Sequence, residues 1–374
     1  MSRAVLLTKQ VPWPSDSGGR IREKHVTEVF RRHFDEVHVL AFGAAPDPSV
    51  LPPGVRVHPY DRPSVLPGAL RSRSAAVGRW FSPAMARTVA DLLVPGSHLH
   101  VGFPHMVVNA PRPGRVDSLD FHNVESHLFA QRGRRHPRAV LRPALALEAR
   151  RLAAWERRAG QVALVSCVSE QDRLRLHGMG VEALVAANGT ELPDHPAPLP
   201  DAEQLVFVGT LDWGPNVEGA LWFAGEVWPQ LVGLRPAATV TLVGRAPAPE
   251  LTALSVPGLS VAGDVPAVDP WYARSRLAIC PLLTGGGSRL KIIEALGHGR
   301  PVVSTTLGAE GLESLIGQGV VIADSPSDFA ARTADLLADP AACAALGERG
   351  RAAVAATWSW QATLAPLDAA LART

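Results

Sequence analysis

Short apolar runs rich in Val, Leu and Ala alternate with longer amphipathic stretches along the whole chain, the pattern of strands that helices bury on both faces. In the first half these runs fall at 4–7, 36–41, 98–102, 115–119, 161–167 and 182–187, and in the second at 204–208, 238–243, 259–262, 277–280, 301–304 and 319–322. Strands separated by helical stretches make parallel crossover units, so the pattern predicts an α/β chain with two doubly wound parallel sheets. The strongest break is NGTELPDHPAPLPD at 188–201, a proline and polar cluster that reads as a semi-rigid hinge. Two Rossmann-like domains, 1–187 and 202–357, are therefore expected to face each other across a cleft at the carboxyl ends of their strands, where ligands of such folds bind.

Chemistry concentrates in PLLTGGGSRLKIIEALGHGRPVVS at 281–304: a strand end, a glycine turn, a short amphipathic helix, then a further strand. Gly285, Gly286 and Gly287, with Ser288, let backbone approach a ligand, and the following helix N-terminus offers free N–H groups and a positive dipole to an anion. Arg289 and Lys291 fall in the predicted first turn, where cations are unfavourable unless something negative compensates them. A nucleoside diphosphate has that charge, and Glu294 supplies a carboxylate for the ribose diol. In the first half, TKQVPWPSDSGGR ends the first strand with Gly18 and Gly19 opening a helix that carries Arg20. DFHNVE at 120–125 follows a predicted strand; His122 has the donor capacity and the pKa range for work on a substrate hydroxyl, or else caps the strand-to-helix turn. Glu125 either binds ligand hydroxyls or is a first-turn carboxylate favoured by the helix dipole.

The string from the glycine turn through Glu294 to ALGHGRPVV resembles the donor site of GT-B glycosyltransferases, specifically the retaining family 4 (glycosyl transferases group 1), in the branch that carries GGG-(S/T)-RLKI-x-EA. The parent motif has a first Glu where this chain has Gly286, which leaves the donor sugar open while the nucleotide reading stands. The resemblance implies that Gly18 and Gly19 face the donor diphosphate, that His122 approaches the anomeric carbon, and that Arg20 and Glu125 meet the acceptor. FVGTLDWGPN at 207–216 occupies the place of a pyrophosphate-clamping Arg and Lys, but Thr210 stands at the Arg and no equivalent Lys follows, so Arg289 and Lys291 become the compensating cations. Turns at 243–245 and 263–265, with Arg245, Asp264 and Val265, match those that flank the nucleobase. The family's last helix crosses back onto the first domain; 358–374, WSWQATLAPLDAA and its end, either does this or lies as an ordinary amphipathic helix on the second.

Of 374 residues 47% are hydrophobic and 19% charged, with 33 prolines and a formal net charge of +2, which describes a globular chain without acidic or basic tails. Such a balance argues against nucleic acid as the main partner. The arginines between 132 and 158 read as a basic helix that either contacts anionic lipid or an acidic acceptor, or is simply a solvated face. Cys167, Cys280 and Cys343 are odd in number and far apart, so neither a disulfide frame nor a metal site is expected, and no Asp-x-Asp motif is present. No cofactor or metal is expected beyond the nucleotide-sugar co-substrate. MSRAVLLTKQ is too short an apolar stretch for a signal peptide and no run reaches a membrane span, so the expected location is cytoplasmic, with any contact to the inner membrane surface peripheral.

The expected activity is retaining transfer of a sugar from a UDP- or GDP-linked donor to a hydroxyl acceptor: a cell-envelope glycan, a lipid-linked sugar or a secondary metabolite. Two rivals share the fold, a nucleotide-sugar epimerase and a non-catalytic subunit that binds the nucleotide and activates a partner.

Overall fold

The computed structural model describes residues 2–15, 17–61, 68, 72–111, 115–135, 138–285 and 289–373, and divides into two compact units, 1–187 with 364–374, and 188–363. In the first unit, strands β1 (Arg3–Thr8), β2 (Glu36–Phe42), β3 (Val55–Tyr60), β4 (His98–Val101), β5 (Ser118–Phe121), β6 (Leu164–Cys167) and β7 (Leu184–Val185) form one parallel sheet in the order β3-β2-β1-β4-β5-β6-β7. In the second, β8 (Gln204–Val208), β9 (Thr239–Gly244), β10 (Leu259–Gly263), β11 (Leu277–Cys280), β12 (Val302–Ser304) and β13 (Val320–Ile322) are parallel in the order β10-β9-β8-β11-β12-β13. Both orders reverse at one point, between β1 and β4 and between β8 and β11, which opens a crevice beyond the carboxyl ends of the strands.

The central strands are apolar without interruption because both faces are covered: β1, β2, β4 and β11 are buried almost throughout. β3 was not expected from the pattern. VRVHPY carries Arg56, His58 and Pro59 and pairs only along β2, and a proline is tolerated in a sheet at such an edge. The run expected at 115–119 forms its strand three residues later, at Ser118–Phe121, and so includes Asp120.

The helix after β1, Gly18–His33, ends in Arg31, Arg32 and His33, which suit its negative terminus. Its buried face holds Val26, Thr27, Val29 and Phe30, but also Arg22 and Glu23. The arginine-rich region is two helices rather than one, Glu125–Arg135 and Arg142–Ala159, packed against each other. The last helix, Trp360–Leu371, begins in the second unit, and its end from Leu364 belongs to the first, where Arg32 and His33 pair with Asp368 at 2.9 and 2.7 Å. No described helix is long and apolar enough to cross a membrane.

Candidate functional site

In the second unit the strand ends beside the switch point, those of β8, β9 and β10, are pressed together. A Cβ on Gly244 would come 1.7 Å from the carbonyl oxygen of Gly209, so no side chain fits between the β8 and β9 turns. The neighbouring turns interlock too: Asp264, at φ +52°, donates its N–H to the Gly244 carbonyl at 2.8 Å and accepts from the Ala246 N–H at 2.9 Å. The Arg245 carbonyl accepts from Leu211 N–H at 2.8 Å, and Val265 packs on the adjoining apolar cluster. Backbone, more than side chains, shapes this rim.

Lys291 reaches the end of β8. Its ammonium donates to Asn216 Oδ1, lies 4.5 Å from the centre of the Phe207 ring and comes within 3.2 Å of where a Gly209 Cβ would stand. Asn216 in turn donates to the Thr210 carbonyl at 2.8 Å. A cation therefore occupies the neighbourhood of Thr210 although none follows it in sequence. Burial pushes the Lys291 pKa down to about 8, and Arg289 adds to this. Arg289 is the residue before the helix Leu290–Gly297, not part of its first turn. It is buried, donates to the Leu307 carbonyl at 3.0 Å and lies 3.8 Å from Glu310. Gly285, at φ +126°, would bring a Cβ to 3.2 Å from the Arg289 guanidinium. Gly286, Gly287 and Ser288, the rest of the expected phosphate cradle, lie outside the described residues.

Glu294 sits a turn into the same helix, partly buried, and accepts from the Tyr272 hydroxyl at 3.0 Å. Burial pushes its pKa up to about 7; the Tyr272 bond and Lys291 work against that, Asp269 with it. The Tyr272 ring stacks on His298 at 4.7 Å, and His298 lies 3.4 Å from Asp269. Sequence reasoning missed Tyr272 and Asn216, which belong to other elements and meet the helix only in the folded unit.

In the first unit, His122 follows β5 and lies 3.3 Å through Nε2 from both Asp120 Oδ2 and Glu23 Oε1. Arg22 clasps Asp120 at 2.6 and 2.8 Å, and Ser166 donates to the same carboxylate at 2.6 Å. Burial would push the His122 pKa down, but the neighbouring carboxylates of Asp120 and Glu23 overcome it and the net shift is upward. Glu125 opens the next helix and stands 4.0 Å from Lys9, whose ammonium lies 3.3 Å from the centre of the Phe103 ring. Burial lowers Lys9 to about 8. The adjoining Ser126 N–H is held by Glu156, itself pushed up to about 7 by burial.

Gly18 and Gly19 open the helix Gly18–His33, and a Cβ on Gly19 would meet nothing within 4 Å, so packing inside the protein does not demand glycine there. Arg20 is turned onto its own loop, donating to Gln10 at 3.2 Å and to the Pro14 carbonyl at 3.4 Å. Glu23 and Lys9 were not singled out from the sequence, and Arg22 only as one of the basic residues of its helix. One signal was available: Arg22 and Glu23 share the helical stripe of Val26, Thr27 and Phe30, and charge on a buried stripe needs partners. Among the described residues no group of three or more His, Cys, Asp or Glu is arranged to hold a metal ion.

Residues 202–339 match the sequence model of the family "Glycosyl transferases group 1". An uncharacterized 44.6 kDa protein in the cps region of Klebsiella pneumoniae is 30% identical over 135 residues, covering 34% of this chain and 35% of its own, so the chain spans about a third of the curated relative it matches. Among solved structures, sucrose-phosphate synthase from Thermosynechococcus elongatus superposes with a TM-score of 0.75 at 16% identity, covering 100% of this chain and 99% of its own. Anabaena Alr3699/HepE in complex with UDP and glucose gives 0.69 at 15%, covering 99% of each chain, and WaaG, a glycosyltransferase involved in lipopolysaccharide biosynthesis, gives 0.68 at 14%, covering 98% of each. The two parallel-sheet units have the GT-B fold of these glycosyltransferases.

Proposed function

We propose that the protein is a glycosyltransferase that moves a sugar, with retention of configuration, from a nucleoside diphosphate to a hydroxyl acceptor. The observation that carries the reading is the helix Leu290–Gly297, which holds Lys291 at the β8 end and Glu294 one turn on, within the stretch that matches the family. Glu294 accepts the ribose hydroxyls, while Lys291, Arg289 and the helix N-terminus face the diphosphate. The bond between the anomeric carbon and the β-phosphate oxygen breaks as the acceptor oxygen bonds to the same face, and the acceptor proton passes to a phosphate oxygen. His122 acts at the reacting carbon. These cations neutralise the leaving group, so no divalent metal is required in the reading. UDP-sugars are the first donors to examine, because a neighbour of the same fold was solved with UDP-glucose.

The test is titration calorimetry with UDP, followed by chromatographic analysis of UDP-sugar consumption in EDTA with and without glycan or lipid-linked acceptors. Glu294→Ala is expected to raise the UDP dissociation constant about tenfold or more, from the roughly 1.5–3 kcal/mol of hydrogen bonds to a charged group. Unchanged affinity removes Glu294 from the site. Isomerised donor without acceptor would establish an epimerase, and binding without turnover an accessory subunit.

A further inference from the structure

Beneath His122 lies a charged cluster that helix Gly18–His33 and strand β5 bring together: Arg22 and Glu23 from the one, Asp120 from the other. All three are buried, with Glu23 only 4% exposed. We infer that Glu23 is the positioning residue of His122, and that it holds the imidazole doubly protonated, so that His122 serves the reaction as a hydrogen-bond donor and a positive charge rather than as a general base. The inference rests on the reading of His122 at the reacting carbon and says in which form it works there.

The argument is one of charge balance. Arg22 meets Asp120 with two short hydrogen bonds, at 2.6 and 2.8 Å, and that pair is neutral as a unit. Glu23 remains. One of its oxygens is 3.3 Å from His122 Nε2, and the other, buried, has no hydrogen-bond partner. A buried carboxylate without a counter-charge is costly, and removing one partner of such a pair is strongly destabilising. With a neutral imidazole the foursome of Arg22, Asp120, Glu23 and His122 carries one net negative charge; with an imidazolium it carries none.

The remaining titratable groups do not change that sum. Lys9, from the end of β1, also feels the charge of Glu23, but its nearest carboxylate is Glu125 at 4.0 Å, whose charge it offsets, and it lies on the Phe103 ring. His100, on β4, is fully buried and held neutral, down to about 3 by burial, and shares Ser118 Oγ with His98. The chain also makes room for Glu23: a Cβ on Gly102, just past β4, would come within 2.3 Å of Glu23 Oε1. The raised pKa of His122, against the push of burial, agrees with the same balance.

An imidazolium of this kind cannot accept the acceptor's proton, which fits a reaction in which a donor phosphate oxygen takes it. Transfer should then fall on the alkaline side as His122 deprotonates. The experiment is a histidine NMR titration of the full-length protein, with His122 assigned from His122→Gln, alongside the pH dependence of transfer. In the wild type His122 is expected to titrate above 6.5, and in Glu23→Gln its midpoint and the alkaline limb of the rate profile should both move down by about 1 pH unit or more. Glu23→Asp, which keeps the charge, should restore most of the shift, and should Glu23→Gln fail to fold, the wild-type midpoint and the Asp variant decide alone. A wild-type midpoint at or below 6.5, or one unmoved in Glu23→Gln, overturns the inference. Wild-type transfer by His122→Gln instead overturns the reading of His122 at the reacting carbon, whatever the titration gives.

Discussion

Glu294 and Tyr272 show how one residue pair makes ligand binding depend on pH. A ribose diol donates two hydrogen bonds, and the ionised carboxylate accepts both where the protonated acid accepts poorly. Burial raises the Glu294 pKa to about 7, so in the empty site the accepting form is lost as pH falls through 7 and gained as pH rises. UDP affinity should therefore strengthen by up to about tenfold between pH 6 and 8, the ratio of ionised fractions around a midpoint of 7. Titration calorimetry across that range checks it, and Glu294→Gln should abolish the slope; a slope that persists in the Gln variant would belong to the nucleotide. Tyr272→Phe removes a bond that favours the carboxylate and should shift the transition to higher pH.

Elements explain why some features were legible in the sequence and others not. Strands such as Gln204–Val208 and Leu277–Cys280 stand at their expected residues because continuous burial leaves a continuous apolar run. Val55–Tyr60 escaped because an edge strand covered on one side carries polar residues and a proline. Glu294 was singled out because the run of glycines and the helix that carries it are contiguous in sequence, whereas the Lys291 contact with Asn216 joins residues 75 apart. That contact brings the helix Leu290–Gly297 to the β8 turn, where the charge of a leaving diphosphate is proposed to grow. Lys291→Ala should accordingly lower kcat at saturating donor by about a hundredfold or more while changing UDP affinity less, since negative charge increases toward the transition state. Arg289→Ala should lower kcat as well, and also the melting temperature, because the buried guanidinium holds the Leu307 carbonyl. Near wild-type turnover in both variants would sink the assignment of these cations to the leaving group.

At the scale of the whole molecule, a net charge of +2 from 37 basic and 35 acidic residues conceals an uneven surface. The helices Glu125–Arg135 and Arg142–Ala159, with the end of helix Glu170–His177, line an open cavity of about 860 Å³ bordered by Arg134, Arg142, Arg150 and Arg175 and floored by Ala146, Ala149 and other small or apolar residues. Beside it Val140 is 83% exposed, with Leu141 and Leu147 also in solvent. Cationic and apolar side chains side by side suit the headgroup region of an anionic bilayer, where each Arg near the surface contributes about 1 kcal/mol. The protein should therefore sediment with phosphatidylglycerol vesicles at low salt, release as ionic strength rises, and ignore phosphatidylcholine vesicles. Losing Arg134 and Arg150 together, as Arg134→Glu with Arg150→Glu, should weaken vesicle binding by at least about thirtyfold, the equivalent of about 2 kcal/mol. Val140→Ser should weaken it without altering the salt dependence, because it removes apolar contact and no charge. Equal binding to both lipids, or no effect of the paired charge reversal, would mean that the arginines form a solvated face.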